Sequence, residues 1–333
     1  MSAVEIGKNN RLNEQKTNKK VFNFALAGNP NCGKTTLFNQ LTGSSQYVGN
    51  WPGVTVEKKE GKITYKNNDI NIIDLPGIYS LSPYSPEEIV TRNCLLDDYC
   101  DVIINIVDAT NIERNLYLTT QLSELSRKMI IALNMVDLSE KRGDRIDYKY
   151  LEKELKIPIV PISASKSLGL DELMEKALKI ANSQSSLSTQ DIYSKEVTNA
   201  ILGIERVLEG IDNSDNRNIR FNAVKIFEED SITLSKFNFT KDQLKMISYY
   251  TSKIKTDKYM DKEMIIADQR YKYICRICQK AIKKGMSQWD LSVSDKIDRV
   301  VTNRLFAIPV FLILMLIIFF ITFGPFGTFL KNA

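Results

Sequence analysis

The stretch that decides the fold is Gly28-Asn29-Pro30-Asn31-Cys32-Gly33-Lys34-Thr35, which follows the apolar run Val21-Phe22-Asn23-Phe24-Ala25-Leu26-Ala27. It fits the pattern G-x-x-x-x-G-K-[ST] of a phosphate-cradling loop, set between a strand and a helix. The glycines let backbone N–H groups turn inward onto a polyphosphate. Lys34 reaches the outer phosphates, and the Thr35 hydroxyl is placed to hold Mg²⁺. The next residues, Thr36-Leu37-Phe38-Asn39-Gln40-Leu41, read as a helix whose positive dipole end faces the same anion. The chain is therefore expected to bind a nucleotide through Gly28 to Thr36.

Working outward, composition narrows the chemistry. The 333 residues suffice for two soluble units, or one with appendages, and the formal net charge is +5. The basic residues are spread rather than clustered, so no nucleic-acid surface is indicated. The sequence holds no histidine, which excludes imidazole metal sites, Ser-His-Asp chemistry and histidine acid–base catalysis. Five cysteines, an odd number, point to reduced thiols in the cytosol. Cys94 and Cys100 read as packing residues. Cys275 and Cys278 form C-x-x-C in a helical pattern, without the second pair that a structural zinc site needs.

Residues 1–20 are polar and read as a disordered lead-in. Residues 21–182 alternate short β-branched runs (70–73, 102–107, 129–133 and 157–160) with helical patterns. That alternation predicts an α/β fold with a mostly parallel, doubly wound sheet that binds ligands at its carboxyl edge. After a Ser/Gln/Thr-rich linker, residues 183–270 read as a small all-α domain and 271–304 as a helical stalk. Residues 305–330 form an uncharged apolar run between Arg304 and Lys331. As a helix the run would extend roughly 39 Å, more than the ~30 Å of bilayer hydrocarbon, so a transmembrane helix is expected. The preceding Lys283, Lys284, Lys296, Arg299 and Arg304 place residues 1–304 on the cytoplasmic side.

Further motifs specify the nucleotide. Asp74-Leu75-Pro76-Gly77 follows the run 70–73, where the Asp74 carboxylate suits Mg²⁺ through its water shell and the Gly77 N–H can reach a γ-phosphate. Asn134-Met135-Val136-Asp137 follows the run 129–133. Asp137 can accept both N1–H and the exocyclic amine of guanine, a donor pair that adenine lacks. Asn134 can hold the other edge of the base and tie its loop to the phosphate loop. The N–H groups of Ser163-Ala164-Ser165 are expected at guanine O6. Between Gly43 and Gly61, the segment Gln46-Tyr47-Val48-Gly49-Asn50-Trp51-Pro52-Gly53-Val54-Thr55-Val56-Glu57 reads as a mobile loop, with Thr55 as the second Mg²⁺-binding hydroxyl. Ile78 stands after Gly77, where Ras-like enzymes carry a water-positioning glutamine. The Asn31 side-chain oxygen offers a ligand for a monovalent cation.

Together these motifs, with Ser294-Asp295-Lys296-Ile297-Asp298-Arg299 before the apolar run, resemble the ferrous iron transport protein B family. The resemblance implies a cytoplasmic GTP-binding domain, a helical domain that slows nucleotide release, and a polytopic membrane domain that moves Fe²⁺. It also implies potassium-stimulated hydrolysis, with Asn31 and backbone carbonyls near Gly49 and Trp51 as K⁺ ligands. The expected function is a Mg²⁺-dependent, K⁺-stimulated GTPase module of an iron transporter at the cytoplasmic membrane. Lys34, Asn31, Thr55 and Gly77 carry the chemistry, and Gly53, Val54, Pro76 and Met135 complete the GTP/GDP site. A second copy of the chain or small accessory Feo proteins are the expected partners. The sequence ends after the first apolar run, so it is read as truncated before the pore. Two alternatives are a soluble Era-like or tRNA-modifying GTPase and a membrane-tethered sensor without significant hydrolysis.

Overall fold

The computed structural model describes residues 20–82, 84–97, 99–125, 127–183, 192–211, 218–254, 261–285 and 307–323. The lead-in to residue 19, the linker 184–191, the 294–299 motif and the ends of the 305–330 run lie outside the described residues. Those described divide into two units. One holds 20–283 except 142–144, and the other holds 142–144, 284, 285 and 307–323.

In the first unit, β1 (Val21–Gly28) is apolar on both faces, as a central parallel strand must be when helices cover both sides. It leads through the phosphate loop into α1 (Lys34–Thr42). Then β2 (Gln46–Asn50) and β3 (Glu57–Tyr65) form an antiparallel hairpin, followed by β4 (Asn68–Asp74). Helix α2 (Pro86–Leu96) starts with Pro86 and a capping box in which Ser85 and Glu88 satisfy each other's backbone N–H groups. β5 (Val102–Asp108), α3 (Ile112–Ser123), β6 (Met129–Asn134), α4 (Val136–Lys141), β7 (Arg145–Ile146), α5 (Tyr148–Leu155), β8 (Ile159–Pro161) and α6 (Leu170–Asn182) complete the first half.

The main sheet has seven strands in the order β2-β3-β4-β1-β5-β6-β8. Strands β4, β1, β5, β6 and β8 run parallel, and the β2–β3 hairpin adds two antiparallel strands at one edge. One apolar cluster on the sheet includes α1 and α6 residues such as Leu37, Phe38, Leu173 and Ala177. A second takes in Leu116 and Leu122 of α3 and continues without a break into the helices that follow.

Those helices are α7 (Lys195–Glu209), α8 (Ile219–Phe227), α9 (Ser231–Lys236), α10 (Lys241–Ser252) and α11 (Lys262–Ala281). Ile201, Ile204, Phe221, Phe227, Ile266 and Ile274 build their shared core. The two-residue β9 (Ile282–Lys283) pairs antiparallel with β7. Helix α11 is continuous through the expected boundary at 270/271, because Ile266, Ile274 and Ile277 keep burying the same face on both sides of it.

The hairpin departs from the expected mobile loop. Residues 46–50 are paired backbone, with Gln46 opposite Gly61 and Asn50 opposite Glu57. Backbone hydrogen bonding holds this strand, since four of its five residues are exposed. In the second unit, α12 (Ala307–Phe323) is a 17-residue apolar helix whose residues Phe311, Leu312 and Phe320 are exposed. No helix among the described residues is long and apolar enough to cross a membrane.

Candidate nucleotide-binding site

The site stands at the carboxyl ends of the parallel strands. Parallel pairing sets Leu26 of β1 opposite Asp74 of β4, so Asp74 ends its strand beside the start of α1. The Lys34 ammonium ion-pairs with Asp74 Oδ1, and the Thr35 hydroxyl donates to Asp74 Oδ2 at 3.2 Å. A hydroxyl and a carboxylate that converge in this way are hard oxygen donors of the kind Mg²⁺ prefers. The residues present therefore fit that ion.

A cleft of about 490 Å³ opens here, lined by residues 29–31 and 33–36 of the phosphate loop together with Gly77 and Met135. Two close approaches explain its glycines. Gly33 has φ +87°, and a Cβ there would lie 2.2 Å from Asn134 Nδ2. A Cβ on Gly77 would lie 3.1 Å from Pro30 Cα. Asn31 also adopts a left-handed backbone, φ 66°, which asparagine tolerates better than most residues. Cys32 points away from solvent, and burial pushes its thiol up to about 11, so it stays protonated at neutral pH.

At the far end, Asn134 closes β6. Its Nδ2 donates to the Cys32 carbonyl at 2.9 Å, and its Oδ1 accepts from the Ala164 N–H at 2.9 Å. One carboxamide thus ties the phosphate loop to the 163–165 segment, and one hydrogen of Nδ2 remains for a base edge. Of the three N–H groups expected at guanine O6, two are already engaged. Ala164 bonds Asn134, and Ser163 donates to the Leu168 carbonyl at 3.1 Å. Asp137, in the first turn of α4, pairs with Lys166 Nζ at 2.7 Å. Hydrogen bonds from Lys166 and, secondarily, Ser163 hold its carboxyl below the ordinary range against the opposing effect of burial.

The structure does not bring every expected residue to the cleft. Gly49, Trp51, Gly53, Val54 and Thr55 belong to the β2–β3 hairpin and do not line it. The Trp51 carbonyl accepts from the Val54 N–H at 3.3 Å, and the Trp51 N–H donates to Val56 at 2.9 Å. Lys58 Nζ lies 4.9 Å from the Trp51 ring centroid. Asn31 alone of the three expected K⁺ ligands lines the cleft, so that donor set is not assembled in this conformation. Ile78 is 2% exposed and packs in the core, while its N–H donates to the Gly28 carbonyl at 3.2 Å.

Sequence reasoning missed a set of buried charges where the first half of the chain meets the helices that follow it. Arg92 of α2 makes two 3.1 Å bonds to the Asp230 carboxylate and one of 2.6 Å to the Thr233 hydroxyl. Lys225 of α8 donates to Glu228 at 2.6 Å and to the Ser82 hydroxyl at 3.4 Å, just past Asp74–Gly77 in the chain. Arg270 of α11 binds Glu124 at 2.8 Å, Glu228 at 3.2 Å and the Tyr193 hydroxyl at 3.1 Å. Lys166 was within reach of sequence analysis, since it directly follows Ser163-Ala164-Ser165. The arginines carried no such signal. Cys278 is buried on α11, where burial raises its thiol to about 12.

A phosphate loop on a mostly parallel sheet, with Asp74 and Asn134 at the strand ends, defines a P-loop GTPase. The fold is shared with a GDP-bound mutant of the S. thermophilus FeoB G domain, at 44% identity and a TM-score of 0.73, covering 79% of this chain and 100% of that one. Residues 22–177 match the family described as ferrous iron transport protein B, and residues 193–283 match the FeoB cytosolic helical domain. The chain belongs to the ferrous iron transport protein B (FeoB) family. It is 38% identical over 322 residues to the Fe(2+) transport protein A/Fe(2+) transporter FeoB fusion protein of Porphyromonas gingivalis, covering 93% of this chain and 38% of the relative. It is 35% identical over 317 residues to Fe(2+) transporter FeoB of Staphylococcus aureus, covering 92% of this chain and 45% of the relative. The chain thus spans about two fifths of the length of these curated relatives.

Proposed function

We propose that this chain binds and hydrolyses GTP as the cytoplasmic switch of a ferrous iron transporter. The observation that carries the reading is the Asn134 carboxamide, which joins the phosphate loop to the loop expected around the base. With Asp137 beside that base, unpaired donors and acceptors would reject adenine. The GDP-bound S. thermophilus relative supports the same choice of nucleotide.

In this reading, the first-turn N–H groups of α1 hold the phosphates, and Lys34 leaves Asp74 to neutralise oxygens that gain charge as the bond to the γ-phosphate breaks. Gly77 turns its N–H to the γ-phosphate. Thr35 and Asp74 would hold Mg²⁺, directly and through water, and the ion when bound spreads the negative charge of the β- and γ-phosphates. Water is the other reactant, and GDP and phosphate are the products. Ile78 supplies nothing to orient that water, so the intrinsic rate is low. Thr55 takes part only after the hairpin leaves its present pairing.

Potassium stimulation through Asn31, with Gly49 and Trp51, belongs to the same proposal and requires the same hairpin movement. Iron is the transported substrate of such a transporter, and α12 belongs to its first membrane span. Accessory Feo proteins or a second copy of the chain are its partners. The test is GTP and ATP hydrolysis by this chain in KCl and in NaCl. GTP turnover above ATP and faster in KCl is expected, and equal rates in the two salts would remove the potassium part. The buried Ile78 favours one second reading, a nucleotide sensor that does not hydrolyse. Single-turnover GTP hydrolysis no faster than solvent background would select it.

A further inference from the structure

The carboxylate expected to read the base is already occupied. Lys166 Nζ lies 2.7 Å from Asp137 Oδ2, with side-chain exposures of 48% and 15%. Lys166 ends a short 3₁₀ turn, Ala164–Lys166, whose start is fixed by the bond from the Ala164 N–H to Asn134. Reciprocal bonds of 3.1 Å between the backbones of Ser163 and Leu168 close the loop from the other side. The backbone is thus pinned to the same residue that ties the phosphate loop. The lysine can leave Asp137 only by swinging its flexible side chain.

Guanine presents N1–H and an exocyclic amine side by side, and a carboxylate answers with both of its oxygens. The ammonium on Oδ2 already draws on one of the two oxygens that those donors would use. We propose that Lys166 is a built-in competitor of the guanine base: it neutralises Asp137 while the site is empty and must be displaced whenever a nucleotide enters. This rests on the reading that Asp137 recognises the base. It adds that apparent affinity is set by the difference between two occupants of one carboxylate. Lys166 then weakens guanine-nucleotide binding and quickens release, since its ammonium is ready to retake the carboxylate.

The energy of such a partly exposed pair is small and screened by salt. Isothermal titration of the full chain with GDP reads it. Lys166→Met is expected to bind GDP about two- to fivefold more tightly than the parent at low ionic strength. The ratio should fall toward one as salt rises. Lys166→Arg keeps the charge and should stay near the parent. Lys153→Met, at an exposed lysine on α5, gives the effect of losing one positive charge elsewhere. GDP binding by Lys166→Met that is equal or weaker would overturn the proposal, as would a gain that ignores salt. Asp137→Asn separates this from the underlying reading. If it keeps full GDP affinity, Asp137 does not read the base. If it loses GDP while Lys166→Met gains nothing, the base reading stands and the competitor falls.

Discussion

Asn134 Nδ2 donates to the Cys32 carbonyl oxygen at 2.9 Å, across 102 positions of sequence. The same side chain accepts from Ala164 through Oδ1, so the phosphate end and the base end of the site share one carboxamide. Asn134→Ala strands two buried backbone groups, each worth about 1–3 kcal/mol when left unpaired. Chemical denaturation should show a loss of about 2–4 kcal/mol. GDP titration should show affinity falling about tenfold or more. Wild-type values in both measurements would mean that the bridge carries neither load.

Thr35 and Asp74 define a second expectation. Thr35→Ala removes the hydroxyl while leaving the ion pair between Lys34 and Asp74 intact. GTP hydrolysis should fall about a hundredfold, the scale seen when one electrostatic contact to the transferring group is lost. Chelating Mg²⁺ with EDTA should slow the parent strongly and the variant little further. A variant that still responds fully to EDTA would place the ion elsewhere.

Restoring a Ras-like glutamine by Ile78→Gln should not speed the reaction. Ile78 packs in the core beside Leu75 and Leu81 rather than facing the cleft. A buried amide without partners costs about 1–3 kcal/mol, so the variant should melt earlier with no gain in turnover. Faster hydrolysis at unchanged stability would show that position 78 reaches the attacking water.

The charges between α2 and α9 predict a pH response. Burial raises the Asp230 carboxyl, but hydrogen bonds from Arg92 and Thr233 outweigh it and leave the pKa below the ordinary 3.8. A group whose folded pKa is depressed adds stability that is complete well above its unfolded value and is lost as pH falls through the folded one. Thermal melts should therefore decline from about pH 5 downward, and less steeply in Asp230→Asn. Arg92→Ala leaves a carboxylate without its cation at a nearly dry interface, and should lose about 3–5 kcal/mol at neutral pH. Matching pH slopes in the parent and Asp230→Asn would assign the acid loss to other carboxylates.

How much of this was legible follows from what each feature depends on. The phosphate loop, the parallel strands and Asn134 were readable because each depends on local pattern: an apolar run, then a glycine or a polar residue at a strand end. The β2 strand was not. Tyr47 and Val48 are both exposed, so Gln46–Asn50 lacks the alternation that marks a half-buried strand. Its partner β3 begins Glu57-Lys58-Lys59-Glu60, which reads as solvated surface. Backbone pairing holds the two together, and pairing leaves little trace in composition. Arg92 and Arg270 were invisible for another reason. Charged residues are almost never fully buried unless paired, and their partners Asp230 and Glu124 lie 138 and 146 positions away. Ile78 was legible as an absence of glutamine, but its burial was not.

Those buried arginines bear on modularity. The helical part reads in sequence as a separate domain, but each half completes the other's electrostatics. Arg92 and Glu124 come from the nucleotide-binding half, while Asp230 and Arg270 come from the helices. A cut between them would leave a scar of lone charges on a greasy surface. A transplant of the helices onto another GTPase would need residues equivalent to Arg92 and Glu124 to travel with them. The two halves can diverge in sequence, but at this seam they must do so together.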